Sequence, residues 1–323
     1  MTVPPPIPKR PLNAPPAVAV RASRSVRRRG VTGRGRYLDA KALAPGAILG
    51  RVPLAPPEAQ SLLEPLVAVP ERAAVLCDID GTLAPIVARP EDAHVSEETA
   101  RLLARIARRY RLVACVSGRP VSEARRLVGV GSLVYAGSHG AELLLPGERG
   151  VRVQPGFREW EERVRRFADR VDRAALRVLG IRREDKGPIV ALHWRTAPDK
   201  QRARSELERL AAEAEEAGLA THWGRKVLEL RPPLPIGKDR AVSELVERFG
   251  VRSALFGGDD ATDLDAFRAL RTLHEQGALD HVVLVGVRSS EGPGELAEEA
   301  DLLVDGVGGF ASLLRTLAEG ADR

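Results

Sequence analysis

The chain has 323 residues, 44% of them hydrophobic, and a formal charge of +6. That length gives one large domain or two ordinary ones with a core of full size. No uncharged apolar run approaches the ~20 residues of a membrane helix, and residues 1–36 lack the apolar stretch of a secretory signal, so a cytoplasmic protein is expected.

The charge is unevenly placed. Residues 1–70 hold eleven Lys or Arg against three acids, a net +8, which leaves −2 for the rest. The same segment holds 13 of the 24 prolines. Stretches such as PPPIPKRPLNAPP and SVRRRGVTGRGRY bury too little apolar surface to fold, so 1–70 is expected to be a disordered basic tail. Such a tail could contact nucleic acid or another anionic surface, act as an organellar transit peptide, or stay solvated without a specific partner. The last reading outweighs the other two, because runs of charge are often only solvated. The remainder has no charge excess that points to nucleic acid.

From Ala73 short apolar runs alternate with helical segments. AAVLCDID, RLVACVSG and SLVYAG come first, and SALFGGDD, HVVLVGV and ADLLVDG follow much later. Between the first two, Ser96 caps a predicted helix whose stripe is Leu102, Leu103, Ile106 and Tyr110. Continuous apolar strands alternating with helices indicate a parallel sheet covered on both faces, built from residues 71–140 and 236–323. Cys77 and Cys115, the only two cysteines, lie in two of these runs and read as buried reduced thiols.

Residues 141–235 interrupt the rhythm. Phe157, Trp160, Val164, Phe167, Val171, Ala174 and Val178 are spaced by threes and fours, which predicts one long amphipathic helix. In IVALHWR, Val190, Leu192 and Trp194 share one face and His193 and Arg195 take the other. In KVLELR, Leu228 and Leu230 oppose Glu229 and Arg231. A smaller α+β domain inserted into the core, with a polar sheet face left open, is expected.

The chemistry concentrates where strands end, which is where open α/β sheets bind ligands. In VLCDIDGTLAP, Asp78 and Asp80 alternate to the same side, and two such carboxylates repel unless a cation joins them. A hard divalent ion, Mg²⁺ above all, suits oxygen donors. Gly81 allows a tight turn, and the Thr82 hydroxyl can face an anion. A second acidic cluster, GGDDATD, ends another strand.

DIDGTLAP resembles the first motif of the haloacid-dehalogenase-like (HAD) phosphatases. That resemblance implies a HAD-like Rossmannoid core in which Asp78 is the nucleophile and takes the phosphoryl group, while Asp80 serves as acid and then base. VSGRP implies a phosphate site at Ser117 and Gly118. Lys238 in IGKDRAV matches the phosphate-binding lysine, which is informative where only six lysines stand among 50 basic residues. GDDATD implies Asp259 as a metal ligand, joining Asp78 and Asp80, with Asp263 supporting it.

YAGSHGAE, REDKG, HWR, GRKVLELRPP and GDDATDLDAF are similar, over about residues 73–315, to the trehalose-6-phosphate phosphatases. This implies that Arg119, His139, Lys186, His193, Glu229 and Arg231 lie near a phosphosugar substrate, the last four on a cap that reads the sugar. Leu264 departs from the pattern, which has a glutamate there. The same chemistry on a sucrose- or mannosyl-type phosphate is the nearest alternative. A regulatory protein acting through its basic tail is a more distant one.

Overall fold

In a computed structural model of the chain, residues 36–37, 57–87, 92–171, 173–224, 226–288 and 293–320 are described. The strands run β1 (Arg36–Tyr37), β2 (Ala73–Cys77), β3 (Leu112–Val116), β4 (Val134–Gly137), β5 (Glu142–Leu144) and β6 (Arg152–Val153). Then come β7 (Arg182–Asp185), β8 (Val190–His193), β9 (Ala220–Gly224) and β10 (Val227–Arg231), followed by β11 (Ser253–Gly258), β12 (His281–Arg288) and β13 (Leu302–Asp305). The helices are α1 (Pro57–Ala68), α2 (Glu97–Ile106), α3 (Val121–Val128), α4 (Phe157–Arg170), α5 (Arg173–Val178) and α6 (Lys200–Glu216). The last four are α7 (Lys238–Phe249), α8 (Asp263–Glu275), α9 (Gly294–Glu299) and α10 (Gly306–Gly320). None is long and apolar enough to cross a membrane.

The larger sheet has the order β1-β13-β12-β11-β2-β3-β4-β5-β6. It is parallel from β1 to β4 and antiparallel at β5 and β6. Every residue of β2 and β3 is buried, as expected for strands covered on both faces. Alternation decides which cover each side chain meets. Val75 and Cys77 join the cluster under α1, α2, α3 and α10, while Ala74 and Leu76 join the one under α7, α8 and α9. Ser96 caps α2 as the sequence indicates, its hydroxyl accepting from the Thr99 amide at 3.1 Å. Cys77 and Cys115 are directly paired in register and remain free, buried thiols.

Three expectations are corrected. Residues 57–68, placed in the disordered tail, form α1 and bury Ala59, Leu63 and Leu66 in the core. The helical spacing of those three residues outweighs the surrounding prolines. His281 Nε2 donates to the Leu62 carbonyl at 2.8 Å and fixes α1 to β12. β1 also pairs with β13; the rest of 1–56 lies outside the described residues. Second, β5 and β6 extend the larger sheet, so the chain leaves it after Val153, not at residue 141. Third, the single long helix is two. Val171 is extended (φ −70°, ψ 127°), and α5 starts afresh, turning Leu176 inward and leaving Val178 exposed.

The second sheet, β7-β8-β10-β9, is antiparallel throughout. Val190, Leu192, Leu228 and Leu230 pack one face against α4 and α6. The opposite face carries Glu184, His193, Glu229 and Arg231, of which Glu229 is buried. Where the chain passes between the sheets, Ala141, Phe157 and Ile236 form a small apolar cluster of their own. Arg158 at the start of α4 donates to the buried Glu142 carboxylate of β5. The same carboxylate accepts from the Val121 amide at 2.8 Å.

Candidate active site

β2, β3 and β11 lie side by side and in register, Gly257 against Cys77 and Cys77 against Cys115. The residues just past their ends therefore arrive at one edge. Asp78 follows β2, Ser117 follows β3 and Asp259 follows β11. The Asp78 amide donates to the Gly257 carbonyl at 2.9 Å, which ties the first loop to the third strand. The chain then turns tightly, with Leu83 and Ala84 amides both donating to the Ile79 carbonyl. Gly81 takes φ 84°, and any Cβ there would overlap the Asp259 carboxylate. Glycine is required on both counts.

Carboxylate oxygens of Asp78, Asp259 and Asp263 all lie within 4.8 Å of one another, and all three residues are buried. Lys238, at the start of α7, reaches into the group. Its Nζ donates to Asp78 Oδ1 at 2.8 Å and to Asp263 Oδ1 at 2.7 Å. Asp263 Oδ2 accepts from the Asp259 and Asp260 amides at 2.9 and 3.0 Å. Both Asp263 oxygens are thus committed, and this side chain shapes the loop that presents Asp259. Asp260 caps the same turn, its Oδ1 accepting from the Thr262 amide and hydroxyl.

Burial raises Asp78 to about 7 and Asp263 well above the usual carboxylate range, against the pull of Lys238. Burial also works against the charge on Lys238, but Asp263 and Asp78 hold its pKa above the ordinary value. Ionising all three buried carboxylates around one ammonium is costly, and a bound cation relieves that cost. The donors are all hard oxygens, so the set fits a hard divalent cation.

The structure places Asp80 differently from expectation. Its carboxylate stands outside the trio and is clasped by Arg119, with Nε at 2.6 Å and Nη2 at 2.7 Å. Among side chains, Asp263 takes the place in the acidic group that was expected of Asp80. Ser117 is buried and accepts from the Arg119 amide at 3.1 Å. A Cβ on Gly118 would lie 2.9 Å from His139 Nε2, so the imidazole packs directly over that residue. His139 and Ser138 have φ 55° and 49°, unusual for residues other than glycine. Burial first, then Lys238 and Lys186, lowers His139 to about 3, so the ring is neutral. Its Nε2 and the Thr82 hydroxyl are buried without a hydrogen-bond partner. Buried polar atoms left so suit a ligand that supplies the missing partners.

On the second sheet, Glu229 is buried and accepts from Arg231 Nε at 2.8 Å. Lys186 Nζ lies 3.8 Å from its other oxygen. His193 Nε2 stands 2.7 Å from Glu184, a partner the sequence reading missed. The signal was present, since Glu184 pairs with Ala191 and shares the polar face of His193. Leu264 is buried in the apolar cluster under α7 and α8, which explains why no polar role falls to it.

Residues 76–300 match the family model for trehalose-phosphatase. The chain belongs to the trehalose-phosphatase family. A trehalose-phosphate phosphatase of Mycobacterium avium is 32% identical over 262 residues, covering 77% of this chain and 63% of that protein. A probable trehalose-phosphate phosphatase D of Arabidopsis thaliana is 32% identical over 206 residues, 60% of this chain and 56% of the relative. This chain thus spans less than two thirds of the length of either. The structure of Aspergillus fumigatus trehalose-6-phosphate phosphatase superposes with a TM-score of 0.59 at 24% identity, covering 81% of this chain and 97% of that one. At that identity the likeness establishes the fold that this family member shares.

Proposed function

We propose that this chain is a Mg²⁺-dependent phosphatase that hydrolyses trehalose 6-phosphate to trehalose and phosphate through an aspartyl phosphate, with a HAD-like core and residues 154–235 acting as its cap. The observation that carries this reading is the buried group of Asp78, Asp259, Asp263 and Lys238 at the strand ends. Asp78 attacks phosphorus and Asp80 gives a proton to the departing sugar oxygen as the phosphorus–oxygen bond breaks. Asp80 then takes a proton from water, which attacks the aspartyl phosphate and releases phosphate, and Asp78 is restored. Asp78 and Asp259 are the carboxylates to hold the ion, which when bound neutralises phosphoryl oxygens. Lys238, Ser117 and the Gly118 amide fix the phosphate in line for attack. Arg119 stands over Asp80 and must share its guanidinium with the incoming substrate.

The sugar is read from the other side. Lys186, His193, Glu229 and Arg231 supply charged and neutral hydrogen-bonding groups suited to hydroxyls. The relatives' names point to the same substrate. Two free thiols facing each other across paired strands suit a reducing compartment, so a cytoplasmic location is part of the proposal. The test is phosphate release from trehalose 6-phosphate, sucrose 6-phosphate, a mannosyl phosphate and p-nitrophenyl phosphate, each with and without EDTA. Preference for the first, abolished by EDTA and restored by magnesium, is expected. Preference for another sugar would replace the substrate, and activity indifferent to EDTA would remove the metal.

A further inference from the structure

The polar face of the second sheet is wider than the residues so far given a role. β9 and β10 are antiparallel, and His222 is the direct cross-strand partner of Glu229. Directly opposed residues in such a pair project from the same face, with Cβ atoms about 4.5–5.5 Å apart. His222 therefore stands beside Glu229 on the polar face. Trp223, the aromatic residue most apt to stack on a sugar, alternates to the other face. There the Arg204 guanidinium of α6 lies 5.9 Å from its ring centroid. His222 is thus the ring that β9 presents to the polar side, and it is exposed.

Charged groups of that side lie within electrostatic reach of residues beside the acidic centre. Lys186 and Arg231 act electrostatically on His139, just past β4, and His222 and Arg231 act on Asp265 of α8. The position lies next to Glu229 across the β9–β10 pair. An imidazole there offers two ring nitrogens for hydrogen bonds, which vicinal sugar hydroxyls can use.

We propose that His222 is a specificity-determining contact for the sugar that does not carry the phosphate, a neutral pyranose held against the polar sheet face. This rests on the phosphosugar reading above and adds a residue to it. Loss of one hydrogen-bonding partner in a site built for hydroxyls weakens binding without touching the reacting atoms.

The experiment compares wild type, His222→Ala and His222→Asn on trehalose 6-phosphate and on p-nitrophenyl phosphate, with melting curves to verify folding. For His222→Ala, KM for trehalose 6-phosphate should rise roughly five- to tenfold while kcat changes by less than about threefold. The loss on the aryl phosphate should be several times smaller. His222→Asn keeps a donor and an acceptor and should recover most of KM. A wild type that turns over the aryl phosphate but not trehalose 6-phosphate would overturn the substrate reading itself. A wild type active on both, with KM unmoved by His222→Ala, equal losses on the two substrates, or Asn no better than Ala, would overturn the role of His222 alone.

Discussion

At the level of single residues, Lys238 and Asp78 depend on each other. Asp78→Asn is nearly isosteric but cannot form the acyl phosphate, so turnover should vanish while the melting curve stays cooperative; phosphate-release kinetics check this. Lys238→Met leaves Asp78 and Asp263 facing each other without their ammonium. Breaking a buried pair in this way costs about 3–5 kcal/mol, to be read from urea denaturation without metal. Replacing Asp263 by Asn in the same chain should recover part of that loss. The raised carboxylates also fix a pH dependence. Asp78 holds its proton up to about pH 7 in the fold but releases it near 3.8 when unfolded. The native state therefore binds more protons between about pH 4 and 7, and metal-free stability falls as pH rises through that window. A cation competes for the same oxygens, so magnesium should raise Tm more at pH 7.5 than at pH 5, as thermal melts with and without EDTA would show. Asp78, Ser117, Lys238 and Asp259 were legible in the sequence because short motifs deliver them just past strands or at a helix start. The clasp of Arg119 on Asp80 and the double engagement of Asp263 were not, because both depend on which side chains meet across strands far apart in sequence.

At the level of elements, α1 and the broken α4–α5 pair mark the limits of reading periodicity. Thirteen prolines and eleven basic residues made 1–70 look uniform, yet Ala59, Leu63 and Leu66 repeat at helical spacing. A short apolar stripe is hard to see in such a background, and only the surface it packs against makes it decisive. Leu66→Ala should therefore cost about 2–5 kcal/mol. That corresponds to roughly 5–15 °C in Tm by calorimetry at this size. An ordinary tail position would show nothing. The strands were read well because β2 and β3 are apolar at every position, a pattern that only full burial explains. The break at Val171 was invisible because both halves keep threes and fours; the packing of Leu176 sets it.

At the level of the whole molecule, the proposed function divides the work of the two sheets between phosphorus and sugar. Glu229 stands on the second sheet and touches none of the acidic centre's carboxylates, so its removal separates the two tasks. Glu229→Ala should lower kcat/KM for trehalose 6-phosphate by roughly tenfold to a hundredfold, since a lost charged hydrogen bond is worth ~1.5–3 kcal/mol. The loss on p-nitrophenyl phosphate should be clearly smaller, and parallel steady-state assays decide it. Equal losses would place Glu229 in the architecture of the centre.

The passage between the sheets has a thermodynamic consequence. Each sheet has its own apolar core, and the cluster of Ala141, Phe157 and Ile236, with the Arg158–Glu142 pair beside it, stands apart from both. Cooperativity in unfolding requires that loss of one core deprive the other of buried surface. So small a join transmits little of that loss. Heating the metal-free protein should therefore give a calorimetric enthalpy larger than the van't Hoff value, with the second sheet melting as its own unit. Phe157→Ala should widen the separation between the two transitions, and a bound disaccharide that touches both sheets should merge them into one.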